Sequence, residues 1–98
     1  MLYDKKWDKE VKVVDEVGQA LLKAADFIEE YGWCQGRVEE SDGRVCMLGA
    51  ISYVTDGHWN SPYKKIASLL GVPGSVWNDR PERTAEEVTA FLRHAAYQ

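Results

Sequence analysis

Apolar residues recur every three or four positions over residues 14–31. This spacing puts the apolar side chains on one face of a helix, so the pattern predicts an amphipathic α-helix. Asp15 is a favourable N-cap, with Asp8 as the alternative for an earlier start, and Gly32 supplies the positive φ at which many helices end. The predicted buried face consists of Val14, Val17, Leu21, Ala24, Ile28 and Tyr31.

Two further helices are predicted in the middle of the chain. Residues 46–55 are apolar almost all round, which is typical of a short buried helix, and Gly49 and Ala50 suit close packing. Ser61 followed by Pro62 predicts an N-cap and a proline in the first turn of the next helix. Its predicted stripe is Tyr63, Ile66, Ala67 and Leu70, and it ends at Gly71.

The last helix is predicted from a capping box, in which the side chains of Thr84 and Glu87 each satisfy a free backbone N–H. The apolar face that follows consists of Val88, Phe91, Leu92 and Ala95. Residues 76–79, Val-Trp-Asn-Asp, predict a turn of helix or a tight loop just before Arg80 and Pro81.

A small β-hairpin is predicted near residues 37–46, because Asp42-Gly43 separates two short alternating segments. The predicted fold is mainly α: a single compact bundle of three to four short helices with this hairpin inserted. Residues 15–98 form the helical domain, and residues 1–14 form an N-terminal extension. Residues 9–14 contain β-branched side chains, so they either form a short strand or extend the first helix.

Composition narrows the class of partner. The 98 residues suffice for one domain, and a net charge of −4 with a pI near 5.1 argues against a nucleic-acid partner. No apolar run reaches the roughly 20 residues that span a bilayer, and the N-terminus lacks the apolar core of a secretory signal. We therefore expect a cytoplasmic protein without a membrane partner, whose cysteines are reduced.

Three motifs carry a resemblance to a known family. They are Gly-Trp-Cys-Gln-Gly at residues 32–36, Cys-x-Leu-Gly-Ala at 46–50, and Trp-Asn-Asp-x-Pro-x-Arg-Thr-x-x-Glu-Val at 77–88. In this combination the chain resembles, over roughly residues 15–97, an uncharacterised domain family found in actinobacteria and their phages. The resemblance implies a mostly helical fold and no particular reaction. A phage origin would favour a small accessory protein that acts on a host protein.

Cys34 and Cys46 are the residues with the most reactive chemistry. A zinc site would need His58 and His94 as further ligands, and their wide spacing does not resemble a compact zinc-binding motif. Cys34 with His58 as a base would make a nucleophile, but no local pattern supplies an orienting third group. We predict buried, unreactive thiols, and we assign no metal, cofactor or catalytic residue.

The candidate binding residues cluster in two of the motifs: Trp33, Gln35, Trp77, Asn78, Asp79 and Arg83. Asx residues beside a turn most often cap the backbone locally, and Asp79 lies four residues from Arg83, a distance that allows an ion pair. In the alternative, polar groups converge on the two indoles and form the wall of a small pocket. In that case Asn78→Ala or Gln35→Ala would abolish binding and leave folding nearly intact.

The sequence favours a non-enzymatic protein–protein interaction module that uses exposed aromatic and acidic surface. Trp7 and Trp59 are predicted to be partly exposed, which supports this hypothesis because aromatic residues are enriched at interfaces. The first alternative is a small-ligand-binding domain that uses the region of Trp33 and Trp77. The second is an enzyme built on Cys34, or on Asp79 with His58. The pattern does not predict the oligomeric state.

Overall fold

The computed structural model of the protein describes residues 14–98, which contain five α-helices and no β-strand. The helices are α1 (Glu16–Tyr31), α2 (Met47–Val54), α3 (Asn60–Leu70), α4 (Gly74–Asn78) and α5 (Ala85–Ala95). The mainly α prediction is confirmed. Two predictions concern residues outside this range: the choice between strand and helix for residues 9–14, of which only Val14 is described, and the exposure of Trp7. Of the helices described, none is long and apolar enough to cross a membrane.

The helix boundaries follow the predicted capping signals with one exception. The Asp15 carboxylate accepts a hydrogen bond from the Gly18 N–H at 2.8 Å, and Gly71 ends α3 with a left-handed φ of 77°. The exception is the start of α3. It begins at Asn60 after Trp59, which makes no side-chain cap, so the predicted N-cap at Ser61 is wrong. The helix starts two residues earlier than predicted because the backbone of Trp59 is already in the right-handed helical region.

The predicted hairpin near residues 37–46 is not supported. The Asp-Gly turn forms, with the Gly43 N–H donating to the Glu40 carbonyl at 3.0 Å, but only isolated bridges flank it. Val45 makes one bridge to Glu39 and another to Trp33. Its own N–H donates to the Gly32 carbonyl, and its carbonyl accepts from Cys34. The hairpin pairing itself is limited to the two hydrogen bonds that flank the Glu39 bridge, at 2.8 Å and 3.0 Å, and it stops there because α2 begins at Met47.

The core lies where α1 packs between α2 and α5. Small residues on α1 and α2 let the helices approach closely, and large apolar side chains fill the space around them. The innermost residues are Leu21, Ala24, Ala25, Ile28, Val45, Met47, Ala50, Ile51, Ile66, Val88, Leu92 and Ala95. Gly49 lies against the Val38 carbonyl, where a Cβ would collide. One residue of the predicted buried face is misplaced: Tyr31 is half-exposed at the end of α1.

Candidate functional site

Asn78, at the end of α4, is completely buried and joins three segments of the chain. Its Oδ1 accepts hydrogen bonds from the Trp33 indole N–H at 2.7 Å and from the Met47 backbone N–H at 3.0 Å. Its Nδ2 donates to the Cys34 carbonyl at 3.2 Å and to Asp79 Oδ1 at 2.9 Å. Three of these four bonds reach residues more than 30 positions away, so Asn78 is not the local cap that its position beside a turn suggested.

Gln35 and Asp79 extend this connection. Gln35 Nε2 donates to the carbonyls of Asn78 at 3.1 Å and Arg80 at 2.7 Å, and the Gly36 N–H donates to Asp79 Oδ1 at 3.0 Å. We call residues 33–36 and 78–80, joined in this way, the clasp. Its polar atoms bond to one another, so the clasp joins the end of α1 to the end of α4. This arrangement gives Asn78 a structural role, and we expect its replacement to weaken the fold.

Trp77 and Arg83 lie together in a second arrangement against α5. The Arg83 guanidinium carbon is 3.9 Å from the centroid of the Trp77 ring, and Arg83 Nε donates to the Trp77 carbonyl at 3.0 Å. Phe91 packs against the indole with ring centroids 5.1 Å apart. Arg83 forms its ion pair with Glu87, at 3.5 Å, and not with Asp79, whose carboxylate bonds within the clasp. The six predicted site residues therefore divide into two groups, four in the clasp and two packed against α5.

Cys34 and Cys46 are buried, unpaired thiols, as predicted. Cys34 donates weakly to the Arg37 carbonyl, and Cys46 Sγ accepts from the Gly49 N–H at 3.3 Å, capping α2. Burial is the largest influence on both thiols and raises the pKa of each, because the thiolate is poorly solvated there. At neutral pH they are protonated and poor nucleophiles.

His58 lies far from the residues with which it was paired as a catalytic alternative. Cys46 precedes the first residue of α2, and His58 follows its last turn. An eight-residue helix is about 12 Å long, and Asp79 and Cys34 lie at the Cys46 end. His58 instead lines a separate cavity of about 260 Å³ beside α1 and α3. Residues 14–98 contain no group of three or more His, Cys, Asp or Glu side chains placed to hold a metal ion.

A surface cavity of about 320 Å³ opens beside Trp33, between the end of α1 and the start of α5. We call it the Trp33 cavity; it is lined by Ile28, Glu29, Gly32, Trp33, Ala85, Glu86 and Thr89. The hydrogen bond to Asn78 holds the indole in place. Glu29 receives a hydrogen bond from Arg93 at 2.8 Å, which lowers the pKa of Glu29 and keeps its carboxylate charged.

The structure also reveals an aromatic surface that the sequence analysis missed. Tyr31 and Tyr53 are each 51% exposed and flank Phe27, with ring centroids 4.6 Å and 5.3 Å from it. The Tyr53 hydroxyl donates to Glu39 at 2.8 Å. We call these four residues the tyrosine patch. The available signal was that Phe27 and Tyr31 are four residues apart on one helix face, at the edge of the buried stripe. Trp59 is 42% exposed, as predicted.

Comparison with known proteins places the chain in a family without assigning it a function. No curated protein and no solved structure matches the chain. The sequence profile of a family of unknown function, DUF6197, matches residues 13–98. The expected resemblance to an uncharacterised family is confirmed at this level, while the range of organisms stays a prediction. The chain belongs to the family of unknown function DUF6197.

Proposed function

We propose that this domain is a non-enzymatic interaction module that binds a partner protein through the tyrosine patch. The observation that supports the proposal is that Tyr31 and Tyr53 pack on one shared ring and still leave half of their surface open to solvent. Together they present contiguous apolar area with hydroxyl groups at its edge. Tyrosine is enriched at protein interfaces because it offers both kinds of contact.

The patch is held in position before any partner arrives. Phe27 stacks against Tyr53 with an interplanar angle of 16°, and Glu39 fixes the Tyr53 hydroxyl. Side chains that are already ordered lose little rotamer entropy on binding, which favours affinity. The exposed carboxylate of Glu30, next to Tyr31, adds the acidic border that the sequence suggested.

A comparative capture experiment tests the proposal. The immobilised wild-type domain is compared with a Tyr31→Ser, Tyr53→Ser variant and with a matched Leu69→Ser, Val76→Ser variant. The control residues are exposed to a similar degree, 45% and 50%, on α3 and α4. From a lysate of the source organism, we expect one protein to bind wild type and control in equal amounts and to be lost from the patch variant. Equal capture by all three folded proteins, verified by circular dichroism, would contradict the proposal.

A second candidate function is the binding of a small ligand near Trp33. It is favoured by the Trp33 cavity, which opens beside one of the two indoles that the sequence singled out. Trp77 is not in its lining, so the cavity supports this alternative at Trp33 alone. No arrangement of the described residues favours the enzyme alternative, because His58 is separated from both Cys34 and Asp79. The cytoplasmic location and the relation between phage and host stay predictions.

A further inference from the structure

We propose that the Trp33 cavity binds a small organic cation, an ammonium or guanidinium group. The inference rests on the second candidate function, ligand binding near Trp33, and names the chemical class of that ligand. Three observations carry it: the fixed indole in the wall, the charges around the opening, and the size of the space. The first two indicate a positive charge, the third limits the size of the ligand, and all three are independent of the tyrosine patch.

The indole supplies the first argument. A cation placed over an indole face is attracted by the ring's negative quadrupole, and tryptophan is the best aromatic partner for this contact. The chain already uses the same chemistry internally, since the Arg83 guanidinium lies 3.9 Å from the Trp77 centroid. Among residues 14–98, no cation occupies the equivalent position on Trp33. The hydrogen bond to Asn78 orders the Trp33 ring in advance, so a ligand need not immobilise it.

The charges around the cavity supply the second argument. Glu29 and Glu86 lie in the wall, and Asp26 is close by through its shared partner Arg93. Arg44, which lies against Gly32, is paired with Asp42, so two guanidinium groups stand beside four carboxylates and an excess of negative charge remains. The helix ends do not change the sign, because the end of α1 and the start of α5 carry opposite partial charges of about half a unit. The cavity therefore repels anions and attracts cations.

The size of the cavity supplies the third argument. At about 320 Å³ it lies at the small end of the range of ligand sites, about 300–1,000 Å³. Ile28 and Ala85 add apolar lining that suits the carbon atoms around a substituted ammonium. The space matches one head group or one side chain.

Nuclear magnetic resonance tests the inference with two probes of similar shape. Tetramethylammonium chloride is titrated into the ¹⁵N-labelled full chain at constant ionic strength, and tert-butanol serves as the neutral probe. The indole N–H resonance of Trp33, assigned with a Trp33→Phe variant, reports on the cavity, and the other three indoles serve as internal references. We expect a saturable shift of the Trp33 resonance with the cation and a much smaller one with the alcohol.

Glu86→Gln removes one charge from the wall, and Glu82→Gln removes an exposed charge outside the lining. We expect Glu86→Gln to weaken binding of tetramethylammonium several-fold and Glu82→Gln to leave it unchanged. Equal binding of both probes, or no effect of Glu86→Gln, would overturn the inference about charge and leave the ligand-binding function standing. If neither probe shifts Trp33 in the folded protein, both the inference and the second candidate function are wrong.

Discussion

Trp33 and Trp77 are held in different ways, although Asn78, which holds Trp33, directly follows Trp77 in the chain. Trp77 is held by its ring, which packs against both the Arg83 guanidinium and the Phe91 side chain. Trp33 is held by its edge, through the indole N–H that bonds to the buried Asn78 amide. One indole therefore has its face occupied from within the protein, while the other lines an open cavity.

This difference separates a structural tryptophan from one that is ordered and still accessible. The contacts of Arg83 and Phe91 with the Trp77 ring contribute a cation–π interaction and aromatic packing, which stabilise the fold. Trp33 packs against the core with part of its surface, and among the described residues no cation or aromatic ring packs on its indole. Two similar motifs, each a tryptophan followed by polar or thiol residues, therefore differ in role: we expect Trp77 to stabilise the fold and Trp33 to contact a ligand.

The largest loss of stability is expected from Asn78→Ala, which removes the amide that holds the Trp33 indole. The change leaves the Trp33 N–H, the Met47 N–H and the Cys34 carbonyl without their partner, and an unsatisfied buried group costs about 1–3 kcal/mol. We expect a loss of about 4 kcal/mol in the free energy of unfolding, measured by urea denaturation and circular dichroism. A midpoint equal to that of wild type would show that water replaces the amide without loss.

Trp77→Ala is expected to have the next largest effect and tests the other side. The substitution deletes the ring that joins α4 to α5 through Phe91, and it removes the cation–π contact with Arg83. Because the indole is only partly buried, we expect the free energy of unfolding to fall by about 3 kcal/mol, at the low end for the loss of a large aromatic side chain. The same urea titration measures it. A smaller loss than that of an exposed control, Trp59→Ala, would refute the structural role of Trp77.

Phenylalanine substitutions sharpen the comparison directly, since they keep a ring and remove the N–H. Trp33→Phe breaks the bond to Asn78, whereas Trp77→Phe retains an aromatic ring for Arg83 and Phe91 to pack against. We expect Trp33→Phe to be the less stable variant by about 1–2 kcal/mol, the value of a hydrogen bond with a partly buried partner. Thermal and urea unfolding of the two variants side by side measure the difference. Equal stabilities would remove the distinction.

Thr84→Ala tests α5, the helix that both tryptophans depend on. It carries Phe91, which packs on Trp77, and its first turn lines the Trp33 cavity. The Thr84 hydroxyl accepts from the Glu87 N–H at 3.2 Å, and the Glu87 carboxylate accepts from the Thr84 N–H at 3.0 Å. Losing this cap should cost about 1 kcal/mol. The first turn of α5 lines the Trp33 cavity. Fraying of that turn should therefore shift the indole N–H resonance of Trp33 more than that of Trp77. An unchanged urea midpoint would contradict the capping box.

The smallest expected effect is a pH dependence from the two thiols on the Trp33 side. Burial raises the pKa of Cys34 and Cys46 above their ordinary value near 9, so the folded protein binds these protons more tightly than the unfolded chain. Their stabilisation is fully present below about pH 9 and is lost as the pH rises through the pKa values of the folded protein. Urea midpoints between pH 8 and about pH 10 measure the decline.

A Cys34→Ala, Cys46→Ala variant serves as the control for this titration. It should show a flatter profile in that interval, because Tyr63, whose pKa burial raises to about 12, contributes only at higher pH. Labelling by a thiol reagent should likewise be slow in the native protein and fast in urea. Rapid native labelling of Cys34 would show an accessible thiolate and contradict the effect of burial.

The helices could be predicted from the sequence because their signals are local. Asp15, Gly71 and the Thr84 capping box act within a few residues, and each lies where the pattern puts it. The hairpin prediction failed because a turn signal does not reveal which backbone groups pair beyond the turn. In this chain the pairing around Val45 ends after one bridge, because α2 begins two residues later at Met47.

The candidate site was only partly predictable, because its contacts join residues that are distant in sequence. Gln35 and Asn78 were singled out, yet no local rule distinguishes an asparagine that caps its own turn from one that bonds 44 residues away. Tyr31 shows a second limit. A periodic pattern assigns it to the buried face, but at the end of α1 nothing from α2 or α5 covers the ring fully.

The Asn78 amide makes this corner of the protein sensitive to the identity of a single atom. Asparagine and aspartate have nearly the same shape, so packing alone does not distinguish them. The Nδ2 position, however, faces two oxygens, the Cys34 carbonyl at 3.2 Å and the Asp79 carboxylate at 2.9 Å. An oxygen placed there by Asn78→Asp would repel both unless it carried a proton, and burial beside Asp79 would raise the pKa of the new carboxyl group. A stable domain would thereby become one whose folding depends on acidity.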